Sequence, residues 1–409
     1  MDYESAKARD YTFFTEHFKR LGPRAQRDLE DVLKAELPHD ERLVRYLVDV
    51  LPGKYDQKAA AVLSAASTWA YSDADVMARM LRLRGFTNNE TISMRLRNNA
   101  LLLDTTVHIS QSRDAELVFV CFGGTDPNNI IHLLLDASAK TDSYFSTGEV
   151  HGGFFRAFLA LWPLVRILLR GALLGYPIGL LAELNRVGHG VALAQPETGS
   201  GTTVPCLAPS GSVTRAPEAR PASPMGEIPE ASEEKLKALY IGGHSLGGAL
   251  AVLAAAEIHR DPLLAPLQRK VRGIYTFGQP MVGDAVFAQT CDDRFGEKLF
   301  RHVYRRDVVP QFPPITMGRF AHSGQLYTAP PLDTGWALQR AQASANGLLT
   351  GSEQALAGTA ALALGAIAWL KDQFPLFSWL PLPYSLGDHS PLNYLRTSLQ
   401  VVPGSEFRP

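Results

Sequence analysis

Gly243-His244-Ser245-Leu246-Gly247 spells Gly-x-Ser-x-Gly, with an apolar run over 238–241 before it and a helix-like stretch over 248–253 after it. The pattern describes a strand, a sharp turn and a helix. Its glycines let backbone and helix approach closely, which lifts the serine hydroxyl clear of the sheet as a nucleophile. A serine hydroxyl is weak until a base takes its proton and a third group orients that base. A histidine and a carboxylate must therefore come from elsewhere in the chain.

In hydrolases built on this strand–turn–helix unit the chain order is serine, acid, histidine. The run 300–304 leads into Arg305-Arg306-Asp307-Val308-Val309-Pro310, which puts Asp307 at a strand end after the serine. Of the 11 histidines only His322 and His389 lie beyond it. His389, in Leu386-Gly387-Asp388-His389-Ser390-Pro391, is the expected base. His322 follows Asp307 too closely and is expected as a structural partner in the same loop region. His244 is expected to point away from the nucleophile and buttress the turn.

These residues need a scaffold that brings them together. Apolar runs at 101–109, 117–122, 238–241, 271–276 and 300–304 read as strands, with helix-like segments between them. That alternation predicts an α/β domain with a largely parallel, buried sheet. Leu43, Leu47 and Val48 recur at helical spacing, as do Leu29, Val32 and Leu33 in the preceding stretch. One longer helix is expected over 59–83, ended near Gly85 and Asn88-Asn89. The run 158–184 is apolar except for Arg166, Arg170 and Glu183, and Pro163 and Pro177 interrupt it. It suits a helix lying along a lipid surface or a buried helix with snorkelling arginines. Residues 195–232 are dense in Pro, Gly, Ser, Thr and Ala and predict a disordered surface loop. The uncharged 355–370 predicts a core or cap helix.

Composition narrows the classes of function. The chain has 409 residues, 46% apolar, and 40 Lys plus Arg against 41 Asp plus Glu. With no net field to attract a polyanion, nucleic acid is not an expected partner. Cys121, Cys206 and Cys291 form no zinc or redox motif, and neither metal nor cofactor is required. The first residues lack a basic stretch followed by an apolar one, so a cytoplasmic or peripheral-membrane location is expected, with export by another route left open.

The flanks of these motifs resemble the class 3 lipases, the α/β-hydrolase group that includes the filamentous fungal triacylglycerol lipases. The segments are Val120-Cys121-Phe122-Gly123-Gly124-Thr125, Val150-His151-Gly152-Gly153-Phe154 and Gly243 through Ala251. Tyr275-Thr276-Phe277-Gly278-Gln279-Pro280-Met281-Val282-Gly283-Asp284 and Arg306-Asp307-Val308-Val309-Pro310 complete them. The resemblance implies an α/β-hydrolase fold with Ser245 as nucleophile, Asp307 as acid and His389 as base. It also implies an oxyanion hole from Thr125 and the backbone N–H of Leu246. Gly123 departs from the pattern, since an arginine is usual there, and so do the long stretches before Ser245 and before His389. Where the resembled lipases carry a lid helix, this chain has Ile130, Ile131, Leu133 and Leu134, which are expected to cover the site or line the substrate entrance.

The expected organisation is an N-terminal helical segment over 1–58 packed on a catalytic domain over 59–400, with insertions at about 158–235 and 332–380. The expected activity is hydrolysis of acylglycerols, with lipid or another ester as substrate and a membrane or lipid-droplet surface as a peripheral partner. A phospholipase A1 or a small-ester carboxylesterase on the same scaffold is the second reading. An inactive, membrane-associating scaffold is the third.

Overall fold

The computed structural model describes residues 41–98, 103–124, 141–179, 181–182, 234–313, 319–329, 335–339 and 387–401. The expectations for 1–40, for the loop 195–232, for the helix 355–370 and for Thr125, Ile130, Ile131, Leu133 and Leu134 lie outside them.

Among the described residues the chain begins with α1 (Glu41–Asp49), α2 (Gln57–Trp69) and α3 (Ala74–Leu83). The strands β1 (Asn89–Asn98), β2 (Leu103–Ser112), β3 (Leu117–Phe122), β4 (Thr141–Ser143) and β5 (Glu149–His151) follow. Next come α4 (Gly152–Leu173), β6 (Ala238–His244), α5 (Leu246–Arg260), α6 (Ala265–Lys270) and β7 (Val271–Phe277). The order continues with β8 (Gly283–Asp284), α7 (Ala285–Phe295), β9 (Leu299–Val303), β10 (Phe320–Ala321), β11 (Gln325–Thr328), β12 (Ala337–Leu338) and α8 (Pro391–Leu399).

Eight strands form one sheet in the order β1-β2-β3-β6-β7-β9-β11-β12. Its centre is parallel, from β3 through β6, β7 and β9 to β11. Antiparallel pairs close both edges. Strand alternation divides the side chains between two cores. Val118, Val120, Phe122, Leu239, Ile241 and Ile274 face α4 and α5 in one. Leu117, Phe119, Cys121, Tyr240, Tyr275 and Phe277 face α1, α2 and Tyr394 of α8 in the other. A sheet buried on both faces needs apolar residues at successive positions, which is why its central strands read as continuous apolar runs. A second, four-stranded sheet runs β10-β8-β5-β4. The expected mostly parallel sheet flanked by helices is present.

Three local features differ from expectation. The single helix over 59–83 is two helices. Asp56 caps α2 by accepting the Ala59 N–H at 2.8 Å, and the chain turns at 70–73, where Ser72 N–H bonds the Trp69 carbonyl at 3.0 Å. The strand β1 has no counterpart in the expected elements. Its arginines obscure the alternation that buries Met94 and packs Ile92 and Leu96 on the core, while Arg95 meets Asp104 across the pair through two hydrogen bonds of 2.9 and 2.8 Å.

The third difference is that Pro163 does not interrupt α4, a continuous 22-residue helix. Proline removes the bond to the carbonyl four residues back, and here Leu159 and Pro163 lie on the exposed face, where water can satisfy that carbonyl. Phe158, Val165, Leu168 and Leu169 are buried, and Arg166 pairs with Asp261 at 2.7 Å. The geometry is that of a core helix rather than one laid on lipid. Leu168→Ala is accordingly expected to cost about 2–5 kcal/mol of folding stability, measured as a lower midpoint in urea with an unchanged slope.

Candidate active site

Ser245 stands between the last residue of β6 and the first of α5, at φ 60 and ψ −128. Few non-glycine residues adopt a positive φ, and the packing on both sides holds this one there. A Cβ at Gly243 would collide with the backbone of Gly247, and one at Gly247 with the carbonyl of Phe122. The Ser245 N–H donates to the Phe277 carbonyl at 2.9 Å, which ties the turn to β7.

Two short loops bring the other groups in. After β9 the chain turns through Arg305, at φ 42, and Asp307 N–H closes the turn on the Tyr304 carbonyl at 3.0 Å. His389 lies in a 3₁₀ turn (Gly387–His389) just before α8. Its Nδ1 is 2.8 Å from Asp307 Oδ2, and its Nε2 is 2.8 Å from Ser245 Oγ. A carboxylate only accepts, so Nδ1 carries the proton and the Nε2 lone pair faces the serine hydroxyl. The three side chains form one hydrogen-bonded line, with Ser245 and Asp307 1% exposed and His389 6%.

Asp307 is further held by residues that sequence reasoning did not single out. Val309 N–H donates to Oδ1 at 2.9 Å, and the Tyr394 hydroxyl donates to Oδ2, the oxygen that also receives His389. Burial and the nearby Asp307 raise the Tyr394 hydroxyl well above the usual tyrosine range, so it stays a donor. Gly278, at φ +60, passes so close that a Cβ would lie 2.8 Å from Asp307 Oδ2 and 2.9 Å from His389 Nδ1. A side chain there would occupy the space of the hydrogen bond.

Leu246 is the first residue of α5, where a helix leaves its N–H groups without intrahelical partners. That makes its N–H available to an anion beside the serine. The β3 end that leads to Thr125 is braced by backbone: Gly123 N–H donates to the Thr106 carbonyl at 2.6 Å, and the Thr105 hydroxyl donates to the Gly123 carbonyl at 2.7 Å. A Cβ on Gly123 would lie 2.6 Å from the Ala70 carbonyl oxygen. This chain therefore has no room for the arginine usual in the resembled pattern. His322 lies away from the line, its Nε2 2.8 Å from the Pro310 carbonyl. His244 points away from Ser245 Oγ, with Nε2 2.8 Å from the His389 carbonyl and Nδ1 2.8 Å from the Tyr71 hydroxyl.

Comparison with known proteins follows the same residues. The family described as Lipase (class 3) matches residues 226–317, which hold Ser245 and Asp307. A secreted mono- and diacylglycerol lipase of Malassezia globosa is 36% identical over 108 residues, 26% of this chain and 34% of that protein. A triacylglycerol lipase of Nicotiana tabacum is 29% identical over 225 residues, 49% of this chain and 39% of its own length. The chain thus spans little more than a third of either relative. Among solved structures, lipase II of Rhizopus niveus aligns at 19% identity and a TM-score of 0.41, over 66% of this chain and 80% of that one. The segment that carries the nucleophile turn and the acid, residues 226–317, is thus similar to the class 3 lipase family.

Proposed function

We propose that the protein is a serine-dependent carboxylic ester hydrolase acting on acylglycerols. The observation that carries this reading is the continuous line from Ser245 Oγ through His389 to Asp307. Ser245 Oγ attacks the ester carbonyl while His389 Nε2 takes its proton. The tetrahedral oxyanion is met by the Leu246 N–H and, in this reading, by Thr125. His389 returns the proton to the departing alcohol, leaving an acyl-serine. A water deprotonated by His389 then attacks the acyl-serine, releasing the acid and restoring the hydroxyl. Asp307 steadies the imidazolium in both halves.

Acylglycerols are the preferred substrates because the Malassezia and tobacco relatives are named for them. The Malassezia relative is named as secreted, which supports export over a cytoplasmic location, with work at the surface of a membrane or lipid droplet. Ile130, Ile131, Leu133 and Leu134 are proposed to line the entrance, where each buried methylene of an acyl chain adds about 0.8 kcal/mol of favourable transfer. The test compares emulsified mono-, di- and triacylglycerols with phosphatidylcholine vesicles and soluble butyrate esters, with a fluorophosphonate probe run alongside. Glycerides as the fastest substrates and labelling of Ser245 are expected. Faster cleavage of phosphatidylcholine would make the protein a phospholipase, and no labelling would leave an inactive scaffold.

A further inference from the structure

The histidine inside the nucleophile turn makes two contacts that join separately built pieces of the site. The His389 carbonyl can only accept, so the His244 Nε2 facing it at 2.8 Å carries the proton. Burial, together with the neighbouring His389 ring, holds His244 well below the ordinary histidine value, so the ring is neutral. Its Nδ1 is then a lone pair, and the Tyr71 hydroxyl 2.8 Å away must donate to it. The result is a directed chain from Tyr71 O–H to His244 Nδ1 and from His244 Nε2–H to the His389 carbonyl.

Each end touches a different part of the site. Tyr71 lies in the turn between α2 and α3, and its hydroxyl fills the space that a Cβ on Gly124 would need, at the end of the strand leading to Thr125. Thr68, one turn earlier in α2, donates to the Pro391 carbonyl at 3.3 Å, beside the base. The His244 and His389 rings lie 4.5 Å apart, and the Tyr394 ring lies edge-on to His244 at 5.5 Å. Tyr71 as a whole residue is 44% exposed, while its hydroxyl reaches inward to His244.

We infer that Tyr71 and His244 form a positioning strut that sets the His389 backbone and the oxyanion-side strand end in register with the serine turn. Neither residue touches the reacting atoms. The inference rests on the hydrolase reading above. A Tyr71→Phe substitution leaves Nδ1 without its donor and releases His244 to the other tautomer, which would turn a lone pair toward the His389 carbonyl. A His244→Ala substitution removes the strut, whereas His244→Gln offers an amide N–H within reach of the same carbonyl.

The experiment measures kcat and KM on a soluble nitrophenyl butyrate, with thermal unfolding of each variant. Misplacing a reacting group by a fraction of an ångström to an ångström costs up to about a hundredfold, so His244→Ala is expected to lose about that much kcat and Tyr71→Phe about tenfold, with KM nearly unchanged. His244→Gln is expected to recover about tenfold of the loss. Tyr71→Phe keeps the ring and its packing and should remain folded with at most a modest drop in unfolding temperature, which keeps the test valid if His244→Ala does not fold. The strut is overturned if Tyr71→Phe keeps the parent kcat, or if its loss appears in KM instead. It is also overturned if folded His244→Gln is no better than His244→Ala. Ser245→Ala separates the two ideas: if it hydrolyses as fast as the parent, the hydrolase reading fails and the strut with it. Loss of activity in Ser245→Ala alone leaves the reading standing and removes only the strut.

Discussion

Alanine in place of Ser245 is expected to lower kcat for ester hydrolysis by about a millionfold, while the fold stays intact. The side chain contributes one hydrogen bond to His389 and is buried in a turn held by glycine contacts and the bond to Phe277. Alanine keeps the Cβ, so it meets the same positive φ without new strain. A unit of this kind fails as a whole, because a base without a nucleophile has nothing to deprotonate. Adding His389→Ala to Ser245→Ala should therefore cost almost nothing more. Active-site titration with a fluorophosphonate and steady-state rates would measure both. A single variant within about tenfold of the parent would disprove the assignment.

The second large effect is expected at Asp307, where asparagine should lower kcat by about ten-thousandfold. The cause is visible in its partners. Oδ2 accepts from His389 and from Tyr394, and Oδ1 accepts from the Val309 N–H. An asparagine amide that turns its oxygen toward His389 and Tyr394 points its N–H₂ at the Val309 donor. The opposite orientation sets donor against the Tyr394 hydroxyl and forces His389 to carry its proton on Nε2, facing Ser245. Either way a buried donor is left unmatched, at about 1–3 kcal/mol. The variant should thus lose stability as well as rate, whereas Ser245→Ala should lose rate alone. Urea midpoints for the two proteins, read beside their kcat values, distinguish these outcomes.

The parts of this site that announced themselves in the sequence are those whose chemistry fixes residue type and order. A Gly-x-Ser-x-Gly between an apolar run and a helix left little choice for the nucleophile. The order rule then reduced the base to His322 or His389, and the structure brings His389, Asp307 and Ser245 together. The central strands were legible because burial on both faces demands unbroken apolar runs, and β3 falls on 117–122 as expected. Burial on one face gave a weaker signal. β1 alternates, but Arg95 and Arg97 on its outer side mask the pattern.

The turn at 70–73 was missed for a different reason. Ala, Ser and Met continue helical spacing across it, and only the fold shows that the chain must bend there to set Ala70 and Tyr71 against Gly123 and Gly124. Tyr394 was not singled out in the sequence at all. Its hydroxyl gains meaning from Asp307, 87 positions earlier. Contacts that depend on such distant pairings leave no local trace in sequence.

The base lies 144 positions after the serine, and this spacing matters while the protein is being made. A ribosome that has translated as far as residue 386 has already produced the nucleophile, its turn and the acid, but no imidazole to activate them. In the proposed mechanism, the nascent polypeptide would be silent toward esters until the closing turn and α8 emerge from the exit tunnel and dock. Under the proposed function, this order of synthesis keeps ester hydrolysis from starting before the fold is complete.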